Sequence, residues 1–374
     1  MDGDGISIAV TAPMRLPPFR EAGVNAGRRS PDAAGGQVPF QILCLSGGGY
    51  MGLYTASVLA RIEKQTGRRI ADSFDLIAGT SVGGIIALGL SMGRTAGEIE
   101  QAFIDDGDKI FPAKRPPVGW LRSSLQVLAG VACSRHDPAP LRAVIEKIVG
   151  IDAKMSGLLT PTVVTAVNLT KGKPRVFKTG HHRDYTRDWT LDVADVALAT
   201  SAAPTYFPIH CIDDELYADG GMFANSPDMV ALHEAEHFLK KDRSEIRILS
   251  VGTTTAAFAF SASTKLRLGS WGWMQDQRLP TVMIGSQQAM TNDMLSHMLP
   301  GAYLRIDHEQ SPDQRRELAL NCASYQAQKN LRAAATASAQ EASKSSLLRT
   351  MLEHKAPRFD FINASLPRST TAIG

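Results

Sequence analysis

Two short motifs place a hydroxyl and a carboxylate beside glycine-rich turns. Ser81 is the central residue of a Gly-x-Ser-x-Gly sequence at 79–83, and Asp219 begins an Asp-Gly-Gly sequence at 219–221. A serine hydroxyl is a weak nucleophile until a base within hydrogen-bond reach takes its proton. A carboxylate is a weak base in water, but burial disfavours its charged form and raises its basicity. These residue types indicate chemistry in which a serine attacks a carbonyl carbon.

A third motif lies upstream, where Gly47, Gly48 and Gly49 follow an apolar run and precede a helical pattern. Consecutive glycines leave their backbone N–H groups uncovered. The first N–H groups of the following helix point toward the same place. Such a loop binds a phosphate or stabilises a developing oxyanion.

The elements that position these motifs form repeated strand–turn–helix units. The apolar run at 40–45 predicts a buried strand, and apolar residues at helical spacing then continue to Gly67. A second unit has a strand at 74–78, the serine motif, and an apolar helix at 85–92. This alternation predicts an α/β fold with a parallel sheet and crossover helices. Later strands are predicted at 162–168, 175–178, 246–252 and 302–306, and later helices at 141–149, 193–201, 228–240, 281–299 and from 312 onward.

Other site classes fit these glycines less well. Gly47, Gly49 and Gly52 formally match Gly-x-Gly-x-x-Gly, but a dinucleotide site wants an acidic residue at the end of the second strand. Asp75 instead begins that strand. A Walker A loop lacks its Gly-Lys-Ser/Thr. A Ser-His-Asp hydrolase is a further competitor because histidines follow the serine, yet only one strand–helix unit precedes the turn. A non-catalytic module that holds a phosphate stays open.

The composition excludes some classes of protein. The 374 residues include 40 Lys and Arg against 37 Asp and Glu, a formal net charge of +3. This balance lacks the basic excess that is typical of proteins that bind a nucleic-acid polymer. The four cysteines are far apart, so neither a disulfide framework nor a metal site is predicted. No apolar run reaches the ~20 residues of a membrane span. We therefore expect a cytoplasmic protein.

The three motifs, in this order, resemble those of the patatin-like phospholipases, and the segment at 199–208 resembles the family's block before the aspartate. The resemblance covers about residues 39–252. It implies a three-layer α/β/α fold with a mostly parallel central sheet. It also implies a Ser81–Asp219 dyad without histidine or any cofactor. Met51 departs from the family, since many members carry Arg there. The resemblance assigns an oxyanion hole to Gly47, Gly48 and Gly49, and turn support to Gly52, Gly79, Gly83, Gly220 and Gly221.

Two further segments, at 52–63 and 172–182, resemble a bacterial branch of cyclic-dinucleotide-activated phospholipases from CBASS anti-phage systems. This branch implies membrane phospholipids as substrates and a cyclic dinucleotide as activator. It also implies a functionally linked nucleotidyltransferase that makes the activator, and peripheral action at the inner membrane. An ungated patatin-like lipase is the nearest alternative, and homo-oligomerisation stays open.

The composition of the first 37 residues, rich in Gly, Pro, Ala and Arg without an apolar period, and the extent of the resemblance divide the chain. We expect a disordered tail at 1–37, the phospholipase domain at 38–320, and a helical extension at 321–374 that packs on the same domain. The predicted strands at 162–168 and 175–178 are joined by a turn and should form a hairpin. A basic stretch that includes the second of these strands and the residues after it could contact nucleotide phosphates, or could be a solvated hairpin and loop. Its candidate residues are Arg175, Lys178, His181, His182 and Arg183.

One later helix is rich in methionine. Met283, Met290, Met294 and Met298 recur at helical spacing. Methionines usually fill irregular cores. We therefore expect these side chains to be buried, with a mobile wall or a dimer contact as the alternative.

Overall fold

The computed structural model describes residues 38–111, 136–254, 267, 269, 273, 278–310 and 323–362. The expected tail at 1–37 and the start of the helix expected from 312 lie outside these ranges. The described strands are β1 (Phe40–Leu45), β2 (Leu76–Thr80), β3 (Thr162–Asn168), β4 (Lys173–Lys178), β5 (His210–Ile212), β6 (Glu215–Asp219), β7 (Ile246–Val251) and β8 (Tyr303–Ile306).

These eight strands form one sheet in the order β5-β6-β3-β2-β1-β7-β8, with β4 paired to β3. The central pairs β3–β2, β2–β1, β1–β7 and β7–β8 are parallel. The pairs of β3 with β4, β3 with β6 and β5 with β6 are antiparallel. The sheet therefore has the parallel centre that the motif order predicts.

Ten α-helices surround the sheet within the described residues. They are α1 (Gly52–Thr66), α2 (Val82–Ser91), α3 (Ala96–Ile110), α4 (Pro138–Val149), α5 (Val193–Thr200), α6 (Gly221–Ala224), α7 (Asp228–His233), α8 (Arg278–Met298), α9 (Tyr325–Ala342) and α10 (Ser346–Glu353). Short 3-10 turns span Gly49–Met51, Ile70–Ser73, Met155–Gly157, Asp188–Thr190 and Arg243–Glu245, and a π-helix spans Glu234–Phe238.

Successive residues of β1 face opposite sides of the sheet, as a strand requires. Leu43 and Leu45 belong to a large core with α1 to α5, α9 and α10. Ile42 and Cys44 belong to a second core with α7 and α8. Because helices cover both faces of the sheet, the three-layer α/β/α prediction is confirmed.

Most predicted elements appear within a few residues of their expected bounds, with three differences. The helix α3 was not predicted, although Thr95 and Glu98 form a capping box at its start. The short strands β5 and β6 and the four-residue helix α6 were also missed. The helix predicted at 228–240 is α7 followed by the π-helix.

Three of the four methionines of α8 do not fill the core, whereas Met298 is partly buried against the second core. Met283, Met290 and Met294 are exposed, whereas Leu295 and Leu299 are buried. On a helix of 3.6 residues per turn, the two sets lie on opposite faces. The core expectation is therefore wrong for these three methionines.

None of the described helices combines the length and the apolar character needed to cross a bilayer.

Candidate active site

The strand register brings the two motif residues together. Along β3, β4 pairs with residues 163–168 and so occupies one edge. Both β2 and β6 must then share the other edge, which they approach from opposite directions. Thr80 at the end of β2 lies opposite Thr165, and Asp219 at the end of β6 lies opposite Ala166. The strand ends therefore meet, and Ser81 follows Thr80 directly.

Ser81 lies on a strained elbow between β2 and α2. Its backbone has φ 53° and ψ −127°, in a region that residues other than glycine rarely adopt. The Ser81 N–H donates to Thr200 Oγ1 at 2.9 Å, and Thr200 Oγ1 donates to the Thr165 carbonyl at 2.6 Å. This geometry presents the serine side chain at the end of the sheet, as in a nucleophile elbow.

The glycines flanking Ser81 are required by close packing. A Cβ at Gly79 would lie 2.4 Å from the Gly83 carbonyl oxygen. A Cβ at Gly83 would lie 2.2 Å from the Leu45 carbonyl oxygen. The elbow therefore packs backbone to backbone, both within itself and against β1, which explains the small residues of the motif.

Ser81 and Asp219 contact each other directly. Ser81 Oγ donates to Asp219 Oδ2 at 2.6 Å, and the Gly221 N–H donates to Asp219 Oδ1 at 2.7 Å. Ser81 is 8% exposed and Asp219 is 6% exposed. Burial raises the pKa of Asp219 to about 6, although the hydrogen bonds from Ser81 and Gly221 act to lower it. At neutral pH the carboxylate is thus ionised, yet more basic than an exposed aspartate.

The histidines considered for a Ser-His-Asp triad have contacts elsewhere. His210 Nε2 lies 3.2 Å from Asp195, and His233 and His237 stack on each other. The described residues contain no group of three His, Cys, Asp or Glu side chains arranged to hold a metal. Among the described residues, the acceptor beside Ser81 Oγ is the Asp219 carboxylate.

The glycine loop lies against the serine. A Cβ at Gly47 would be 3.1 Å from Ser81 Cβ. The Gly47 N–H donates to the Asn225 carbonyl at 2.9 Å, so this amide is already engaged. Gly48 and Gly49 lie at the start of a 3-10 turn, where the first N–H groups of a helix lack intrahelical acceptors. Of the three glycine amides, the Gly47 N–H is thus the one already occupied by a backbone acceptor.

Asn225 is a site residue that sequence reasoning missed. Its Nδ2 donates to the Gly47 carbonyl at 3.1 Å, and Thr253 Oγ1 donates to the same oxygen at 2.9 Å. Asn225 follows α6, which begins at Gly221 beside the aspartate. It therefore ties the glycine loop to the Asp-Gly-Gly turn. Its spacing to the glycine loop gives no local signal, because the two segments are 178 residues apart.

A largely buried arginine, Arg305, also supports the glycine loop. Arg305 Nη1 donates to Ser46 Oγ and to Ser250 Oγ, each at 2.8 Å. Its Nη2 donates to Asp307 Oδ2 at 2.7 Å. Ser46, the residue before the first glycine of the loop, is thus held by a charge-assisted hydrogen bond from Arg305.

Met51, where the family often carries Arg, is buried beside the loop. Its sulfur accepts hydrogen bonds from Gln310 Nε2 at 3.1 Å and Thr254 Oγ1 at 3.3 Å. Methionine at this position therefore provides an uncharged hydrogen-bond acceptor, whose two donors lie just after β7 and β8.

Most of the basic side chains proposed to bind a nucleotide form ion pairs with carboxylates of the same chain. Lys178 Nζ lies 2.6 Å from Glu234 Oε2, and His181 Nε2 lies 3.0 Å from Glu234 Oε1. Arg175 pairs with Asp188. The remaining two candidates, His182 and Arg183, both lie next to Asp184. Arg175, Lys178 and His181 thus belong to a charge-balanced hairpin, whereas the Arg183 side chain is 85% exposed.

Comparison with known proteins agrees with this site. The family model described as Patatin-like phospholipase matches residues 43–232. A "cGAMP-activated phospholipase" of Pseudomonas aeruginosa is 37% identical over 320 residues, covering 85% of this chain and 93% of the relative. A protein of the same description from Vibrio cholerae is 36% identical over 315 residues, covering 78% and 88%.

A more distant relative extends the similarity to plants. "Patatin-like protein 2" of Arabidopsis thaliana is 29% identical over 304 residues, covering 72% of this chain and 73% of the relative. The family match includes the glycine loop, the serine elbow and the Asp-Gly-Gly turn, which the structure brings together at one end of the sheet. The chain therefore belongs to the patatin-like phospholipase family.

Proposed function

We propose that this protein is a serine acyl hydrolase that releases fatty acids from membrane phospholipids through a dyad of Ser81 and Asp219. The observation that carries the proposal is the 2.6 Å hydrogen bond from Ser81 Oγ to a buried carboxylate. The hydroxyl is thus paired with a base whose pKa of about 6 suits proton transfer near neutral pH.

The proposed reaction has two steps. Ser81 Oγ attacks the ester carbonyl carbon while Asp219 takes its proton, and the N–H groups of Gly48 and Gly49 stabilise the oxyanion. The leaving lysophospholipid oxygen receives that proton. Water, deprotonated by Asp219, then attacks the acyl-enzyme, and the fatty acid leaves while Ser81 recovers its proton. Loss of one oxyanion donor typically slows such reactions by about 10²–10³-fold.

The proposal includes activation by a cyclic dinucleotide. The relatives described as cGAMP-activated phospholipases align with most of this chain. We take the activator to come from a linked nucleotidyltransferase in anti-phage defence, with action on the inner membrane from the cytoplasm. A constitutive lipase would instead hydrolyse lipid at the same rate with and without the nucleotide.

An exposed apolar surface adjoins the site on the side of the aspartate. Met222 is exposed and follows Gly221 directly. Gln287 of α8 donates to the Met222 carbonyl at 3.1 Å, which places α8 beside this turn. Met283 and Met290 are exposed on α8. Contact of this surface with lipid would supply the ester to Ser81 without passage through bulk water.

A liposome assay tests the proposal. Fatty-acid release is measured for the wild type, Ser81→Ala and Asp219→Asn, each with and without cGAMP. Both variants should lose release completely, and the wild type should need the nucleotide. The exposed residues Ser244 and Asp213 provide matched controls, as Ser244→Ala and Asp213→Asn. Sustained release by Asp219→Asn would refute the dyad, and a Ser81→Ala variant that still releases fatty acid would place the nucleophile elsewhere.

A further inference from the structure

A polar groove lies between α1 and α9, outside the active site. Its volume is about 290 Å³, just below the ~300–1,000 Å³ typical of ligand pockets. Three cationic side chains, two helical polar groups and one tyrosine line it. The lining residues that matter are Arg61, Tyr325, Gln328, Lys329, Arg332 and Thr336.

The groove carries an excess of positive charge. Glu100 of α3 lies 3.4 Å from Arg61 and 3.1 Å from Arg332, so one carboxylate is shared by two guanidinium groups. Lys329 adds a third cation and is exposed. The excess is thus about two positive charges, and guanidinium groups hold phosphate oxygens well.

An exposed aromatic ring stands at the same groove. Tyr325, the first residue of α9, is 81% exposed. The next helical turns of α9 are anchored, since Ala327 and Leu331 are buried in the main core. The Tyr325 ring is therefore exposed at the end of a well-anchored helix and lies beside cationic side chains. Such a ring can stack on a nucleotide base while the neighbouring cations contact its phosphate.

The groove is linked to the glycine loop through α1. Arg61 Nε donates to Thr336 Oγ1 at 2.7 Å, which joins α1 to α9. Gly52, the first residue of α1, directly follows the loop's 3-10 turn. At 1.5 Å per residue, Arg61 lies about 14 Å along the helix from Gly52. A ligand that binds Arg61 therefore acts on the helix that directly follows the 3-10 turn of the glycine loop.

We propose that this groove, formed by Arg61, Lys329, Arg332 and Tyr325, is the site at which a cyclic dinucleotide activator binds. The inference rests on the proposed nucleotide gating. The two phosphodiester anions of such a ligand match the charge excess, and Tyr325 stacks on one base. Binding engages Arg61 and Arg332 beside Glu100 and so repositions α9 against α1.

The test measures cGAMP binding by calorimetry with the full chain carrying Ser81→Ala, which removes turnover. Tyr325→Ala should weaken binding by about 5-fold to 150-fold, the range typical of one stacked base. Lys329→Glu should weaken it by at least about 10-fold. Lys173→Glu, a charge reversal at an exposed residue of β4, should leave it within about 2-fold of the parent. Both groove residues are exposed, and thermal unfolding verifies that each variant is folded.

The same substitutions in the active protein should raise the cGAMP concentration needed for fatty-acid release by matching factors. Tight cGAMP binding that both groove variants retain would refute the groove while leaving nucleotide gating intact. Wild type that neither binds nor responds to cyclic dinucleotides would overturn the gating and the groove together. Loss of binding to phosphatidylglycerol vesicles with cGAMP binding unchanged would assign the groove to lipid and also refute the proposal.

Discussion

Replacement of Asp219 by Asn should abolish activity and stabilise the fold at the same time. Burial raises the pKa of this carboxyl from its ordinary value of 3.8 to about 6. One pKa unit corresponds to 1.36 kcal/mol, so a shift of about 2 units costs the ionised folded state about 3 kcal/mol. Asn keeps the size of the side chain and carries no charge. We therefore expect Asp219→Asn to raise the free energy of unfolding by about 3 kcal/mol at pH 8.

The sign of the pH dependence follows from the raised pKa. The folded state binds the Asp219 proton more tightly than the unfolded state does, so the wild type gains stability as the pH falls through about 6. The destabilisation caused by the buried Asp219 charge is fully present above the pKa of Asp219 in the folded state. It is absent below the pKa of Asp219 in the unfolded state. The advantage of the Asn variant should thus be about 3 kcal/mol at pH 8 and about half of that at pH 5.

Urea unfolding followed by circular dichroism at both pH values measures this difference. Asp213→Asn is the matched control, because Asp213 is exposed and its neutralisation should change stability little at either pH. An Asp219→Asn variant no more stable than the wild type at pH 8 would refute the claim that burial makes this carboxylate basic. Fatty-acid release by the same samples reports the loss of activity.

Two further predictions concern the base and the elbow. The kcat/KM for a neutral ester should fall below about pH 6, to about a tenth of its plateau at pH 5, because Asp219 must be deprotonated to act as base; a flat profile from pH 8 to pH 5 would contradict this. Gly83→Ala should lower the yield of folded protein and abolish release, since its Cβ would lie 2.2 Å from the Leu45 carbonyl oxygen. Gly97→Ala in α3, where the nearest atom is 3.9 Å away, is the control and should stabilise the helix by about 0.5–1 kcal/mol in urea unfolding.

The sequence predicted the parts of the site that depend on local chain geometry. The glycine loop, the serine elbow and the end of α1 at Gly67, with φ 66°, are each set by a few consecutive residues. The helix α3 was within reach of the same reasoning, since Thr95 and Glu98 have capping-box spacing. The strands β5 and β6 were harder, because segments of three and five residues give too short a pattern.

Other parts of the site depended on contacts between distant segments. Asn225 and Arg305 meet the glycine loop across 178 and 259 residues of chain, and no local pattern encodes such pairs. The exposure of Met290 was also decided by which face of α8 packs against the sheet, which methionine spacing alone left open.

By itself, the sequence determined the residue types, the motif order and the alternation of strands and helices, because these are properties of contiguous chain. Only the tertiary structure decided that β2 and β6 end against the same edge of β3, which places Ser81 Oγ 2.6 Å from Asp219. The basicity of that carboxylate likewise arises from the surrounding protein, because desolvation depends on everything packed around the group and not on its neighbours in the chain.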